Sequence, residues 1–159
     1  MKALPITLVL VVLVGISLEG ASAAAGRTSA TYTLRAKMTS QQVITPANKP
    51  WRPPASVRDA RGTFTGTLTI AGRTRKLAWR ITYRDIGPST LEIADVHLGR
   101  HGRFGQILVR LCGPCRSGQN GTKRLSATVA KEIKTGNAWV TVITSKYPNG
   151  VIRGQIKVA

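Results

Sequence analysis

Five residues of the types that bind metals or carry redox chemistry lie close together in the second half of the chain. Asp95 and His97 are separated by one residue, and His101 follows shortly after them. Cys112 and Cys115 form a C-G-P-C motif a little further on. First-row metals take three or four ligands from such side chains. The spacing therefore raises two candidate chemistries, a metal site and a thiol–disulfide centre.

The Asp–His pair also has a structural interpretation. Residues two apart on a strand share a face, so Asp95 and His97 can form a hydrogen-bonded pair that orients the loop containing His101. Only the distant Glu92 and Asp85 are available to complete a set of metal ligands. We favour the structural pair and keep metal binding by Asp95, His97 and His101 as the alternative.

The start of the chain indicates the compartment in which these residues work. A basic start precedes an apolar run over residues 3–18, and Ala21-Ser22-Ala23 fits the small-x-small pattern that a signal peptidase cleaves. The run is shorter than the roughly 20 residues that a membrane span needs. We predict a cleaved signal peptide over residues 1–23, one mature domain over residues 24–159, and a secreted or cell-envelope location without a membrane span.

The two cysteines allow three interpretations. C-G-P-C is the motif of thioredoxin, in which a helix N-terminus lowers the pKa of the reactive thiol, but the following residues, R-S-G-Q-N-G, are unsuited to start a helix. The spacings His97-x3-His101 and Cys112-x2-Cys115 resemble those of zinc sites. An exported chain with only two cysteines most simply pairs them. We therefore predict a Cys112–Cys115 disulfide and expect no cofactor.

Short strands dominate the elements that position these residues. Alternating apolar and polar residues predict strands over residues 31–38, 62–70, 76–83, 90–98 and 106–111, and a closing hairpin over residues 139–158. In the hairpin, Ile152, Gly154 and Ile156 are predicted to face the core, and Arg153 and Lys157 the solvent. One short helix is predicted over residues 128–135, and a loop over residues 113–122. The pattern predicts an all-β antiparallel Greek-key β-sandwich or barrel.

The charge of the chain bears on its partners. The sequence has 24 Lys and Arg against 6 Asp and Glu, a formal net charge of +18, which favours polyanions outside the cell. No G-x-S-x-G motif or glycosidase-like carboxylate pair is recognisable, so we expect a non-enzymatic protein. The candidate contacts for an anionic partner are Arg73, Arg75, Lys76, Arg80, Arg100, Arg103 and Arg153.

Several runs of the sequence together resemble the CHRD domain, named for chordin. They are R-G-T-F at residues 61–64, A-D-V-H-L-G at residues 94–99 before a Gly-x-x-Gly loop, W-V-T-V-I-T at residues 139–144, and Y-P-N-G-V-I-R-G-Q at residues 147–155. The resemblance covers roughly residues 29–158. It implies an extracellular all-β domain, similar in outline to copper/zinc superoxide dismutase, and no settled biochemical activity.

Two departures from the family pattern concern histidines. The first position of the family's His-x-His motif is Asp95, and the histidine before the final turn is replaced by Ile143. The resemblance then implies that most of any metal-ligand set is missing. We predict a secreted binding or adhesion domain for an extracellular protein or anionic polymer, without specific nucleic-acid recognition. The alternative is a metal-binding or redox protein using Asp95, His97, His101 and the cysteine pair.

Overall fold

Nine strands and one short helix build residues 28–159, the part of the chain that the computed structural model describes. The strands are β1 (Ser29–Thr39), β2 (Arg61–Ala71), β3 (Thr74–Arg84), β4 (Glu92–Leu98), β5 (Ile107–Cys112), β6 (Asn120–Arg124), β7 (Ala138–Thr144), β8 (Ile152–Gln155) and β9 (Lys157–Val158); the helix is α1 (Ala127–Lys134), and two 3-10 turns span Ser40–Gln42 and Ala55–Val57. The predicted all-β fold with one short helix is confirmed. The predicted signal peptide lies outside the described residues.

The strands form one antiparallel sheet in the order β5-β4-β7-β8-β1-β2-β3-β6, with β9 paired to β1. The sheet curls until it is nearly closed like a barrel. Near the two ends of the sheet, the segment between β5 and β6 hydrogen-bonds to β4 on one side and to β3 on the other. The amide of Cys115 donates to the carbonyl of Glu92 at 2.8 Å, and the hydroxyl of Ser117 donates to the carbonyl of Tyr83 at 2.7 Å.

The core lies inside the curled sheet. Inward and outward positions alternate along β1, β2 and β3, as predicted. The fully buried side chains include Leu34, Met38, Phe64, Leu68, Leu77, Ile81, Ile133, Ile152 and Ile156. The hydroxyl of Ser126 accepts the amide of Val129 at 3.2 Å and caps the start of α1, which contributes Ile133 to this core.

Two sequence-based predictions about this fold are wrong. Residues 120–122, predicted as the end of a loop, belong to β6, because the outer edge of β3 pairs with this strand despite its polar composition. A Cβ on Gly121 would lie 2.8 Å from the ring of Trp79, so this position leaves no room for a larger residue. Arg153, predicted to face solvent, is only 3 % exposed. Alternation in β8 placed it away from the core, but a loop covers that face as well.

Close packing of β8 against β1 explains the glycine between Arg153 and Gln155. A Cβ on Gly154 would overlap the carbonyl oxygen of Lys37 and meet Cγ of Met38 at 3.0 Å. The overlapped atom belongs to the backbone of a paired strand, so it cannot move aside by a rotamer change.

We expect Gly154→Ala to lower the free energy of unfolding by about 1–3 kcal/mol, the usual cost of forcing an extra methyl group into a packed site. Urea denaturation of wild type and variant, followed by far-ultraviolet circular dichroism, measures the difference. An alanine variant as stable as wild type would contradict this close approach of the two strands.

Candidate functional site

The face of β4, β7 and β8 that points away from the core carries buried polar and aromatic side chains. Cross-strand pairing aligns them in rows, with His97 opposite Trp139 and Trp139 opposite Gln155. We call this set the covered face; its members are Asp95, His97, Trp139, Thr141, Arg153 and Gln155. Gln155 is partly buried, and the others are at most 6 % exposed.

The loop after β4, residues 99–106, buries the covered face by bonding to its side chains. The carbonyl oxygen of Gly105 lies 2.9 Å from Nδ1 of His97. The carbonyl of Arg103 accepts a 2.6 Å hydrogen bond from Nη2 of Arg153. The loop therefore supplies backbone acceptors to the two basic side chains that it covers.

Two further features hold this loop in place. The amide of Phe104 donates to Oδ1 of Asn48 at 2.8 Å, which ties the loop to the segment after β1. Position 105 requires glycine, because a Cβ there would overlap the carbonyl oxygen of Leu98. Gly105 thus allows the backbone of the loop to lie close to the backbone of Leu98.

Trp139 is the centre of the covered face. The imidazole of His97 stacks on its ring, with 4.2 Å between centroids and 12° between planes. The guanidinium carbon of Arg153 lies 3.8 Å from the centroid of the same ring, and the indole N–H donates to the carbonyl of Leu98 at 3.1 Å. A cation over an indole gains roughly 0.5–2 kcal/mol, so Trp139 stabilises the charge of Arg153.

Asp95 is fully buried and ion-paired with Arg110, which lies opposite it on β5. Nε of Arg110 is 3.0 Å from Oδ1 of Asp95, and the Arg110 side chain remains half exposed. The hydrogen bond and the charge of Asp95 raise the pKa of Arg110 above its usual value. The charge of the Asp95 carboxylate is thus balanced by a cation that lies outside the covered face.

His97 is neutral at physiological pH. Burial lowers its pKa, and the charge of Arg153 acts in the same direction, against the hydrogen bond to Gly105 and the charge of Asp95. A carbonyl oxygen only accepts, so in the neutral ring Nδ1 carries the proton. Nε2 is then an unprotonated acceptor, and no group in residues 28–159 hydrogen-bonds to it.

Arg153 is a buried cation that forms no ion pair with any acid in the described part of the chain. Its Nη2 donates to the carbonyls of Arg103 and Arg100, at 2.6 and 3.5 Å, while its Nη1 has no partner there. Burial lowers the pKa of Arg153 to about 10. The guanidinium is therefore still charged at neutral pH.

A second surface, the outer face of β1, β2, β3, β6 and β9, carries exposed threonines and cations. The register places Arg35, Thr65, Arg80 and Asn120 in one row across four strands. We call its cations the basic face; they are Arg35, Lys37, Arg61, Lys76, Arg80, Arg84, Arg124 and Lys157, all of them exposed.

Like charges lie directly opposite each other at three places on the basic face. The pairs are Lys76–Arg124, Arg35–Lys157 and Arg61–Arg84. The last pair has Asp85 within 4.0 and 3.9 Å of its two members. The other two pairs form no ion pair with residues 28–159. Like charges directly opposite each other on neighbouring strands destabilise a sheet, so these two pairs lower the stability of the fold.

Comparison with known families gives one match. A family model described as the CHRD domain matches residues 34–156. The chain belongs to the CHRD domain family. CHRD domains are typically extracellular and generally non-catalytic. No curated protein and no solved structure matches the chain. No helix of residues 28–159 combines the length and the apolar character that crossing a membrane demands.

The residues predicted for metal or redox chemistry in this CHRD domain are not gathered into one centre. Asp95 and His97 share the covered face as predicted, whereas His101 is exposed in the loop after β4. Cys112 and Cys115 are joined in the predicted disulfide and are buried, which suits a structural bond. Within the described residues no group of three or more His, Cys, Asp and Glu could hold a metal ion.

The predicted basic contacts fall into three places. Lys76 and Arg80 lie on the basic face, and Arg73 and Arg75 lie in the hairpin beside it. Arg100 and Arg103 are exposed in the loop that buries the covered face. Arg153 is the exception, because that loop removes it from solvent.

Sequence reasoning missed Thr141 and Gln155 as members of a buried polar layer. A signal was present in β7, which reads W-V-T-V-I-T and has no charged residue on either face. Such a run is typical of a strand buried on both sides. It predicts a cover over the outer face, although it does not say which segment provides it.

The burial of neutral His97 predicts a pH-dependent stability. Above pH 6.5, the ordinary pKa of histidine, both folded and unfolded chains hold a neutral ring and stability is undiminished. As the pH falls from 6.5 towards the lowered pKa, only the unfolded chain gains a proton. The free energy of unfolding then falls by up to about 1.4 kcal/mol per pH unit.

Urea denaturation between about pH 5 and 7.5 tests this dependence, because histidine is the side chain that ordinarily titrates there. We expect His97→Gln to remove that fall in stability, whereas the control His101→Gln, at an exposed position, keeps it. Equal pH dependence in wild type and His97→Gln would contradict the assignment.

Proposed function

We propose that this CHRD domain is exported and acts without catalysis, binding anionic extracellular polymers through its basic face. The observation that carries the proposal is the pairing of like charges across neighbouring strands, at Lys76–Arg124 and Arg35–Lys157, without an acidic partner in residues 28–159. Such pairs do not stabilise the folded chain by themselves. Anions lying between them convert the repulsion into attraction.

The few acids of the described chain are placed where they leave the basic face positive. Asp95 is buried against Arg110, and the Glu92 carboxylate accepts from the hydroxyl of Tyr83. Asp85 is paired only with Arg61 and Arg84. Glu132 accepts from Nδ2 of Asn137, and Asp59 forms no ion pair within residues 28–159. The remaining cations are free to attract a polyanion, an attraction that salt screens over about 10 Å.

The shape of the face suits an extended ligand. An open groove of about 570 Å³ crosses it, lined among others by Arg35, Thr65 and Arg80. Neighbouring strands are about 5 Å apart, so a chain lying across them meets hydroxyl and cationic groups in turn. Threonine hydroxyls between the cations add hydrogen bonds to anionic oxygens or sugar hydroxyls.

Immobilised heparin, a sulfated polysaccharide, tests the proposal. We expect the double variant Lys76→Gln, Arg124→Gln to elute at distinctly lower salt than wild type. The double variant should also unfold with a free energy higher by a few tenths of a kcal/mol, because a like-charged pair has been removed. Salt-gradient elution and urea denaturation measure the two effects.

The matched control removes the same charge elsewhere, with Arg52→Gln, Arg58→Gln at exposed positions outside the basic face. It is expected to elute close to wild type. Equal loss of retention in both double variants would mean that net charge alone causes binding, and retention that does not fall as salt rises would also contradict the proposal.

A further inference from the structure

Besides Nε2 of His97, two side chains of the covered face each keep one buried polar atom without a partner in the described part of the chain. The atoms are Nη1 of Arg153, a donor, and Oε1 of Gln155, an acceptor. The amide orientation of Gln155 is fixed, because its Nε2 lies 3.0, 2.8 and 2.9 Å from the carbonyl oxygens of Gly99, Gly136 and Ala138. The two hydrogens of Nε2 are shared among these oxygens, which only accept. Buried polar atoms nearly always have partners, so both atoms call for an explanation.

Arg153 and Gln155 line the same cleft, which lies between the loop after β4 and the segment after β1. The cleft has a volume of about 390 Å³, within the range of small-molecule sites. His101, Gln42 and Asn48 also line it. Two side chains that each keep an unpaired polar atom thus line one space that is large enough for a ligand.

We propose that this cleft binds a small hydroxy-carboxylic acid of the uronic-acid class. Its carboxylate accepts from Nη1 of Arg153, and a neighbouring hydroxyl donates to Oε1 of Gln155. Both orphaned atoms are satisfied by one molecule.

A carboxylate matches Arg153 because the guanidinium is buried with only uncharged partners, two carbonyls and the ring of Trp139. A bound anion neutralises that charge. Nη2 is already engaged by the loop carbonyls, so Arg153 offers one nitrogen instead of its full fork. One carboxylate oxygen meets that nitrogen, whereas a phosphate takes several donors at once.

Hydroxyl groups match the rest of the lining. Nε2 of Gln42 donates to the carbonyl of Lys37, and Oδ1 of Asn48 accepts from Phe104. The opposite end of each amide makes no hydrogen bond to residues 28–159 and is available to the hydroxyls of a polyhydroxylated ligand. Sugar acids supply hydroxyls beside a carboxylate, and fatty or aromatic acids do not.

This site does not rest on the polymer-binding proposal, because the basic face and the cleft share no residue. Loss of heparin retention and loss of small-acid binding are therefore separate outcomes with separate variants.

NMR titration of nitrogen-labelled protein with D-glucuronate tests the site. We expect saturable shifts of the Trp139 indole and Gln155 side-chain signals, with a dissociation constant on the order of 1 mM for a ligand of this size. D-glucose lacks the carboxylate and acetate lacks the hydroxyls, so each is expected to bind at least about tenfold more weakly. Shifts that do not saturate, or glucose binding equal to glucuronate, would overturn the proposal.

Two variants locate the binding. Arg153→Gln should weaken glucuronate binding by about tenfold or more, provided that its spectrum shows a folded protein. His101→Glu leaves the buried groups intact and adds a negative charge beside the cleft, which should weaken binding by about fivefold. Thr128→Glu, at an exposed position in α1, adds the same charge away from the cleft and should leave binding unchanged. Equal binding by the two glutamate variants would overturn the proposal even if Arg153→Gln does not fold.

Discussion

The contact between the indole of Trp139 and the guanidinium of Arg153 decides how this sheet is built. A cation on the outer side of β8 would ordinarily reach water, but here it lies over an aromatic ring and bonds to the carbonyls of Arg100 and Arg103. Those carbonyls belong to the loop that closes over β4, β7 and β8. One half of the sheet is therefore buried on both faces, while the half formed by β1, β2 and β3 is buried on one.

This division separates two kinds of chemistry in one small domain. Where the sheet faces water, cations alternate with threonines and their charge acts over a distance. Where it is covered, each group acts through contact: His97 is neutral, Asp95 is paired with Arg110, and Arg153 depends on short-range partners. Of the residues that first suggested metal or redox chemistry, Asp95, His97 and the two cysteines take structural positions, whereas His101 is exposed.

Local sequence patterns predicted the features that depend on neighbouring residues alone. Alternation placed β1, β2 and β3 to within a few residues, and the presence of only two cysteines in a chain expected to be exported predicted the disulfide. Alternation tells which residues turn away from the core but not what lies over them, so it misassigned Arg153 to solvent. The strand at Asn120–Arg124 was not predicted for a related reason, because it depends on pairing with the open edge of β3 and not on its own composition.

The curled sheet stops short of full closure, and this leaves two strand edges with consequences for the behaviour of many copies together. β5 and β6 end the strand order, so each presents an edge without a further strand in the described chain. An open edge invites addition of a second chain, which leads to aggregation. Arg110 stands on β5, and Lys123 and Arg124 stand on β6. The charge of Arg110 is balanced by Asp95, whereas Lys123 and Arg124 form no ion pair with residues 28–159. Two β6 edges that approach each other therefore meet repulsion, which opposes self-association through that edge.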